Sequence, residues 1–167
     1  YTVTVTGFTG YSVSSAPVTV NDNSTISLSS APGTDLQTLC INNAITGITY
    51  TIGGAGTGAS ITAGGLPAGV TGIFASGIFT ISGTPSTSGV FPYTVTTSGS
   101  GCEQSLSGTI TVNDNSTISL SSAVGTDAQI VCINSPIATI SYTIGGGGAA
   151  ATITSGTLPA GVTGSYT

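Results

Sequence analysis

A tandem repeat of 92 residues organises this chain. The segment 21–75 returns at 113–167 with a constant offset (113 − 21 = 92) and no gap, so that Cys40 corresponds to Cys132. Of the 55 residue pairs compared in this way, 37 are identical. Self-similarity at a fixed period indicates an array, and a period of this length suits one compact domain per repeat.

The first residues of the chain follow the same offset. YTVTV at 1–5 aligns with YTVTT at 93–97. We therefore divide the chain into the last strands of one repeat (1–20), one complete repeat (21–112) and the first part of another (113–167). We expect the chain to be a piece of a longer array.

The complete repeat carries the pattern of an all-β domain. Segments rich in Ile, Val, Thr and aromatic residues alternate with Gly- and Pro-containing breakers, and none has a helical period. The predicted strands are 25–29, 37–41, 45–52, 59–63, 70–74, 78–82, 90–96 and 106–112. This number of short strands predicts a Greek-key, immunoglobulin-like β-sandwich in each 92-residue repeat. A closed barrel with the same strands is the alternative.

Alternation within strands predicts which side chains form the core. Phe79 and Ile81 lie two residues apart, so they share one face of their strand. Tyr50, Tyr93 and Tyr142 also lie in predicted strands, and Tyr50 and Tyr142 occupy equivalent positions of the repeat. We interpret the three tyrosines as core aromatics; a sugar-binding aromatic platform is the alternative.

The absence of basic residues excludes several functions. The chain has no Lys, Arg or His and a net charge of −5. It therefore lacks the cations that contact phosphates in nucleic acids and anionic membranes, and it lacks the commonest general base. Its apolar runs are far shorter than the roughly 20 residues that cross a bilayer. We predict a non-enzymatic protein that needs no cofactor, does not bind nucleic acid and does not insert into membranes.

Two of the three cysteines fall in the complete repeat. We predict that Cys40 and Cys102 form a structural disulfide, which would close a loop of about 60 residues and contribute on the order of 4 kcal/mol. A metal site would lack ligands, and a catalytic thiol would lack a base. The partner of Cys132 is expected near position 194 (102 + 92), and Gly10 takes the place of Cys102 in the preceding repeat. Such a disulfide indicates an oxidising compartment.

The repeat junctions carry Asn-Asp-Asn at 21–23 and 113–115. This triplet resembles the linker of cadherins, where it helps to bind calcium, so Asp22 and Asp114 are candidate calcium ligands. Calcium takes six to eight oxygens, and each junction offers one carboxylate. We therefore predict a turn stabilised by Asn and Asp side chains, with calcium as the alternative.

Three motifs resemble a known family of repeats: LPAGV at 66–70, FTISGTP at 79–85 and GVFPYTV at 89–95. They are similar to the cadherin-like, immunoglobulin-type repeats of bacterial surface proteins, among them the giant SprB-like gliding-motility adhesins of Bacteroidetes. The resemblance covers essentially the whole chain. It implies export by type IX secretion and display as a long filament on the cell surface.

Two functional hypotheses follow. In the first, the chain is part of an extracellular, filamentous adhesin whose repeats give reach, contact neighbouring repeats of the same chain and touch surface polysaccharide. In the second, the repeats are spacers between the modules of a secreted polysaccharide-degrading enzyme. The number of repeats in the whole protein, and whether a hydrolase domain accompanies them, would separate the two.

Overall fold

Strands make up the regular secondary structure of this chain. The computed structural model describes residues 2–4, 12–14, 16–99 and 101–166. In chain order the strands are β1 (Thr2–Thr4), β2 (Ser12–Ser14), β3 (Ser24–Leu28), β4 (Leu36–Cys40), β5 (Ile48–Gly54), β6 (Gly58–Gly64), β7 (Val70–Ala75), β8 (Ile78–Gly83), β9 (Gly89–Ser98), β10 (Ser105–Asn113), β11 (Thr117–Leu120) and β12 (Tyr142–Gly145). All eight strands predicted for the complete repeat are confirmed, with ends shifted by at most three residues.

The eight strands β3–β10 form two four-stranded sheets. One sheet has the order β3-β5-β8-β7 and the other the order β4-β10-β9-β6. Neighbours are antiparallel except β4, which runs parallel to β10. If β3 and β5–β10 are lettered A to G, the sheets are A-B-E-D and C-F-G, which is the immunoglobulin arrangement, with β4 added beside G. The predicted sandwich is confirmed, and the closed barrel is excluded.

The core lies between these two sheets. Its buried apolar residues are Ile45, Ile48, Tyr50, Ile52, Val70, Phe79, Ile81, Tyr93, Val95, Ile110 and Val112. Within each strand they occupy alternate positions, as the side-chain period of two requires. The inward face predicted for Phe79 and Ile81 is thus confirmed. Since every core residue and every strand of both sheets comes from 24–113, this segment contains its own hydrophobic core.

Local structure recurs at the repeat offset. β11 and β12 form a two-stranded sheet in which Thr117 is opposite Gly145, just as Thr25 is opposite Gly53 in β3 and β5. A side-chain network recurs as well: Gln37 bonds to the backbone of residues 34 and 46, and Gln129 to that of residues 126 and 138. The same local hydrogen bonds therefore form in both repeats, although Thr46 of one corresponds to Ala138 of the other.

Tyr142 does not lie in a core. It is 52% exposed, whereas its counterpart Tyr50 is 1% exposed. The physical reason is the missing opposite sheet: the described residues after 113 contain no strand corresponding to β9, which carries Tyr93 against Tyr50. The core prediction is confirmed for Tyr50 and Tyr93; for Tyr142 it stays a prediction, because the counterpart of β9 would fall at 181–190 (89 + 92 to 98 + 92), after residue 167.

Candidate functional site

The complete sandwich begins and ends at opposite ends. At the start of β3, the backbone N and Oγ of Ser24 donate to the carbonyl of Cys102, at 3.2 and 3.0 Å. From that turn, β10 runs nine residues, about 27 Å, to Asn113. We call the first end the entry end (residues 21–24, 54–58 and 101–104) and the second the exit end (residues 40–43, 66–69, 83–86 and 113). Both ends are candidate contact surfaces for neighbouring repeats.

Close backbone contacts shape the entry end. Ala55 N donates to Asn23 O at 3.3 Å, and Gly54 adopts a φ of +61°. A Cβ on Gly54 would collide with Asn23 O, and a Cβ on Gly146 would collide in the same way with Asn115 O. Only glycine lets the chain pass so close, so the repeated Gly-Gly pair has a steric role here.

The exit end explains the motifs that carry the family resemblance. Two loops interlock there through backbone hydrogen bonds from Thr84 N to Gly69 O (3.1 Å) and from Ser86 N to Ala68 O (2.8 Å). Gly69 has a φ of +89°, and a Cβ at this position would collide with Thr84 O. Pro67 and Pro85 are fully buried. From the sequence these residues could be predicted only as breakers between strands, because the loops that they join are distant along the chain.

The predicted disulfide between Cys40 and Cys102 is wrong. Cys40 ends β4 opposite Asn113, at the exit end, whereas Cys102 lies at the entry end beside Ser24. The length of β10 separates the two by more than about 20 Å, and a disulfide requires Cα atoms within about 7 Å. Sharing one repeat placed the two cysteines in one domain but did not determine the end at which each lies.

The candidate calcium ligands lie at the two repeat junctions. Asp22 and Asp114 are both exposed. Across residues 2–4, 12–14, 16–99 and 101–166, no three Cys, Asp or Glu side chains come together in a way that could hold a metal ion. Because calcium takes six to eight oxygens, backbone carbonyls and water would have to supply most of the ligands at either aspartate.

Tyr50 and Tyr93 form a buried polar contact and not an exposed platform. Each is 1% exposed, and their hydroxyl groups lie 3.0 Å apart. Burial raises the pKa of both phenols, and for Tyr93 the hydrogen bond with Tyr50 raises the pKa further. These two rings cannot stack on a sugar, so the alternative of an aromatic binding platform fails for them.

Comparisons with known proteins give a likeness to solved structures only. No protein-family model and no curated protein matches the chain. Among solved structures, the I-band fragment I67–I69 from titin is similar at 13% sequence identity and a TM-score of 0.43. The match covers 60% of this chain and 35% of the titin fragment. The strand order of the two sheets by itself defines the immunoglobulin-like sandwich.

The described residues hold no helix that is long and apolar enough to cross a bilayer.

The candidate site is therefore the pair of sandwich ends, where tight loops, glycines and the Asn-Asp-Asn segments lie together. Chemically, these ends offer backbone carbonyls, amides, hydroxyls and thiols. Such groups suit contact with another protein domain.

Proposed function

We propose that this chain is a repeat segment of a secreted, filamentous cell-surface adhesin, in which sandwiches follow one another end to end as a semi-rigid rod. The observation that carries the proposal is the position of Ser24 and Asn113 at opposite ends of one sandwich. A domain whose chain enters and leaves at opposite ends extends an array by its own length with each repeat.

The short junction limits bending. Ile41 N donates to Asn113 O at 2.8 Å, so the backbone is still held by β4 where β10 ends. Only three residues, 114–116, separate β10 from β11, and none is Gly or Pro. Three residues span at most about 10 Å, which keeps successive sandwiches in contact distance. Gly-rich flexible linkers behave differently, since they let domains reorient freely.

The surface chemistry supports contact with other surfaces and argues against catalysis. Exposed Ser and Thr hydroxyls cover the strands, and the chain has neither Lys, Arg nor His. Hydroxyls and backbone groups can hydrogen-bond to polysaccharide without attracting nucleic acid. We infer that the repeats are non-enzymatic and work outside the cell, where the absence of Lys and Arg also removes the cleavage sites of trypsin-like proteases.

Small-angle scattering of the whole protein, with and without a chelator, tests the rod. We expect the maximum dimension to grow in proportion to the number of repeats and to be unchanged by the chelator. Coil-like scattering in both conditions would contradict the rod. Stiffness that disappears on chelation would instead support calcium binding at Asp22 and Asp114.

Adhesion is tested on the cells that produce the protein. Monovalent antibody fragments raised against residues 21–112 should label intact cells and block their attachment to polysaccharide-coated surfaces. Fragments raised against an unrelated surface protein are the control. If the fragments leave attachment unchanged and the repeats purify with a polysaccharide-degrading activity, the spacer hypothesis replaces the adhesin.

A further inference from the structure

We propose that consecutive repeats are joined by disulfides across their junction. Each bond links the cysteine that ends β4 in one repeat to the cysteine of the β9–β10 turn in the next repeat. The inference rests on the end-to-end arrangement proposed above. It gives Cys40 and Cys102 a covalent role that a bond between the two cannot give, because they lie at opposite ends of their sandwich.

The first cysteine lies against the start of the next repeat. In the parallel pairing of β4 with β10, Cys40 is the register partner of Asn113, and its neighbour Ile41 donates to the Asn113 carbonyl at 2.8 Å. Paired strands lie about 5 Å apart, so the Cα of Cys40 lies at that distance from Asn113. The Cys40 side chain is exposed. Nothing in its own sandwich therefore blocks an approach from the following domain.

The second cysteine lies against the start of its own repeat. The Cys102 carbonyl accepts from Ser24 N and Ser24 Oγ. At the preceding residue, an added Cβ on Gly101 would lie 4.0 Å from Asn21 Nδ2. The turn 101–102 is thus bonded to Ser24 and lies near Asn21, at the two ends of the short segment 21–24.

The repeat offset brings the two observations to one place. Asn21 corresponds to Asn113 and Ser24 to Ser116. In a following repeat with the same pattern, the turn at positions 193–194 would lie beside Asn113 and Ser116. Cys40 of the preceding repeat also lies beside Asn113. The two cysteines then flank a segment no longer than about 10 Å, and a small rotation at the junction brings their Cα atoms within the 4.4–6.8 Å of a disulfide.

The turn that follows Cys40 recurs after Cys132. Asn43 N donates to Cys40 O at 3.2 Å in the turn that follows β4, and Ser135 N donates to Cys132 O at 3.0 Å. In both turns the residue two positions after the cysteine is an asparagine with positive φ, 66° at Asn42 and 64° at Asn134. The turn after Cys132 therefore has the same conformation as the turn after Cys40. Gly10, the counterpart of Cys102 in the preceding repeat, lies outside the described residues; its side chain cannot form such a bond.

Forming the bond is a two-electron oxidation. The two thiols lose two protons and two electrons, one S–S bond forms, and a disulfide of a thiol–disulfide oxidoreductase accepts the electrons and becomes a dithiol. The reaction proceeds through a mixed disulfide, so one of the two thiols must be accessible to the oxidant. The exposed Cys40 meets that condition.

A completed chain tests the pairing. A copy of residues 76–112 is added after Thr167, which finishes the second repeat and supplies a cysteine at position 194. Cys102→Ser is introduced so that the peptide around the added cysteine is unique. After refolding in a glutathione redox buffer, non-reduced chymotryptic peptides are analysed by mass spectrometry, because the chain has no site for trypsin.

We expect Cys40 to be bonded to the added cysteine and Cys132 to react with a maleimide. Cys132→Ser should leave the bond in place, and Cys40→Ser should expose the added cysteine to the maleimide. A bond from Cys132 to the added cysteine, or three reactive thiols, would overturn the inference. Scattering in reductant separates the two proposals: an extended shape without the cross-link leaves the rod standing, whereas a coil-like shape removes the rod itself.

Discussion

The hydroxyl groups of Tyr50 and Tyr93 lie 3.0 Å apart in the middle of the sandwich, one contributed by β5 and the other by β9 of the opposite sheet. Each hydroxyl is therefore the polar partner of the other across the interface between the sheets. The contact lets two large aromatic side chains fill the core without leaving a buried hydroxyl unpaired.

Each single removal of a hydroxyl should cost more stability than half of what the removal of both hydroxyls costs. Tyr50→Phe and Tyr93→Phe are each expected to lower the free energy of unfolding by about 1–3 kcal/mol, since each leaves a buried hydroxyl unsatisfied. The double variant should lose clearly less than the sum of the two. Urea unfolding of all four proteins in a double-mutant cycle measures this, and simple additivity would contradict the contact.

The same pair predicts how stability depends on alkaline pH. The pKa of both phenols is raised above 10.0 in the folded protein. The unfolded chain therefore loses these protons first, so stability is complete below pH 10 and falls as the pH rises further. Ultraviolet titration should show Tyr50 and Tyr93 ionising together with unfolding, and circular dichroism at the same pH values follows the unfolding itself. Ionisation of Tyr50 and Tyr93 before unfolding would contradict their burial.

Two glycines allow the cost of a positive φ to be measured separately from the cost of a steric clash. Gly69 and Gly33 have similar φ values, +89° and +83°, but an added Cβ meets Thr84 O at Gly69 and nothing within 4 Å at Gly33. Gly33→Ala should cost about 1–2 kcal/mol, from the conformation alone. Gly69→Ala should cost at least about 2 kcal/mol more, because the exit-end loops must separate. Equal losses in thermal or urea unfolding would show that the loops are not interlocked.

Reduction should leave the stability of residues 1–167 unchanged. Cys40 and Cys102 lie at opposite ends of their sandwich, so no bond between them contributes to folding. Unfolding in the presence and absence of a phosphine reductant measures the difference, with Cys40→Ser as the matched control. A loss on the order of 4 kcal/mol on reduction would restore the bridge that the spacing predicted.

Much of the architecture could be predicted because its signals are local. The period of 92 residues, the eight strands and the inward faces of Phe79 and Ile81 follow from self-similarity and from alternation within a strand. The recurrence of the Gln37 network at Gln129 illustrates the same point, since its bonds reach backbone groups only three and nine residues away and form with Thr46 in one repeat and with Ala138 in the other. These features need no knowledge of which strands pair.

The position of each cysteine depended on contacts that are distant in sequence. Only the parallel pairing of β4 with β10 puts Cys40 beside Asn113, and only the β9–β10 turn puts Cys102 beside Ser24. The exposure of Tyr142 likewise depends on whether a second sheet covers its strand. The sequence by itself thus determined the repeat, the strands and their inward faces, because strand formation depends on neighbouring residues. Only the tertiary structure decided which ends the cysteines occupy, because pairing between distant strands sets that arrangement.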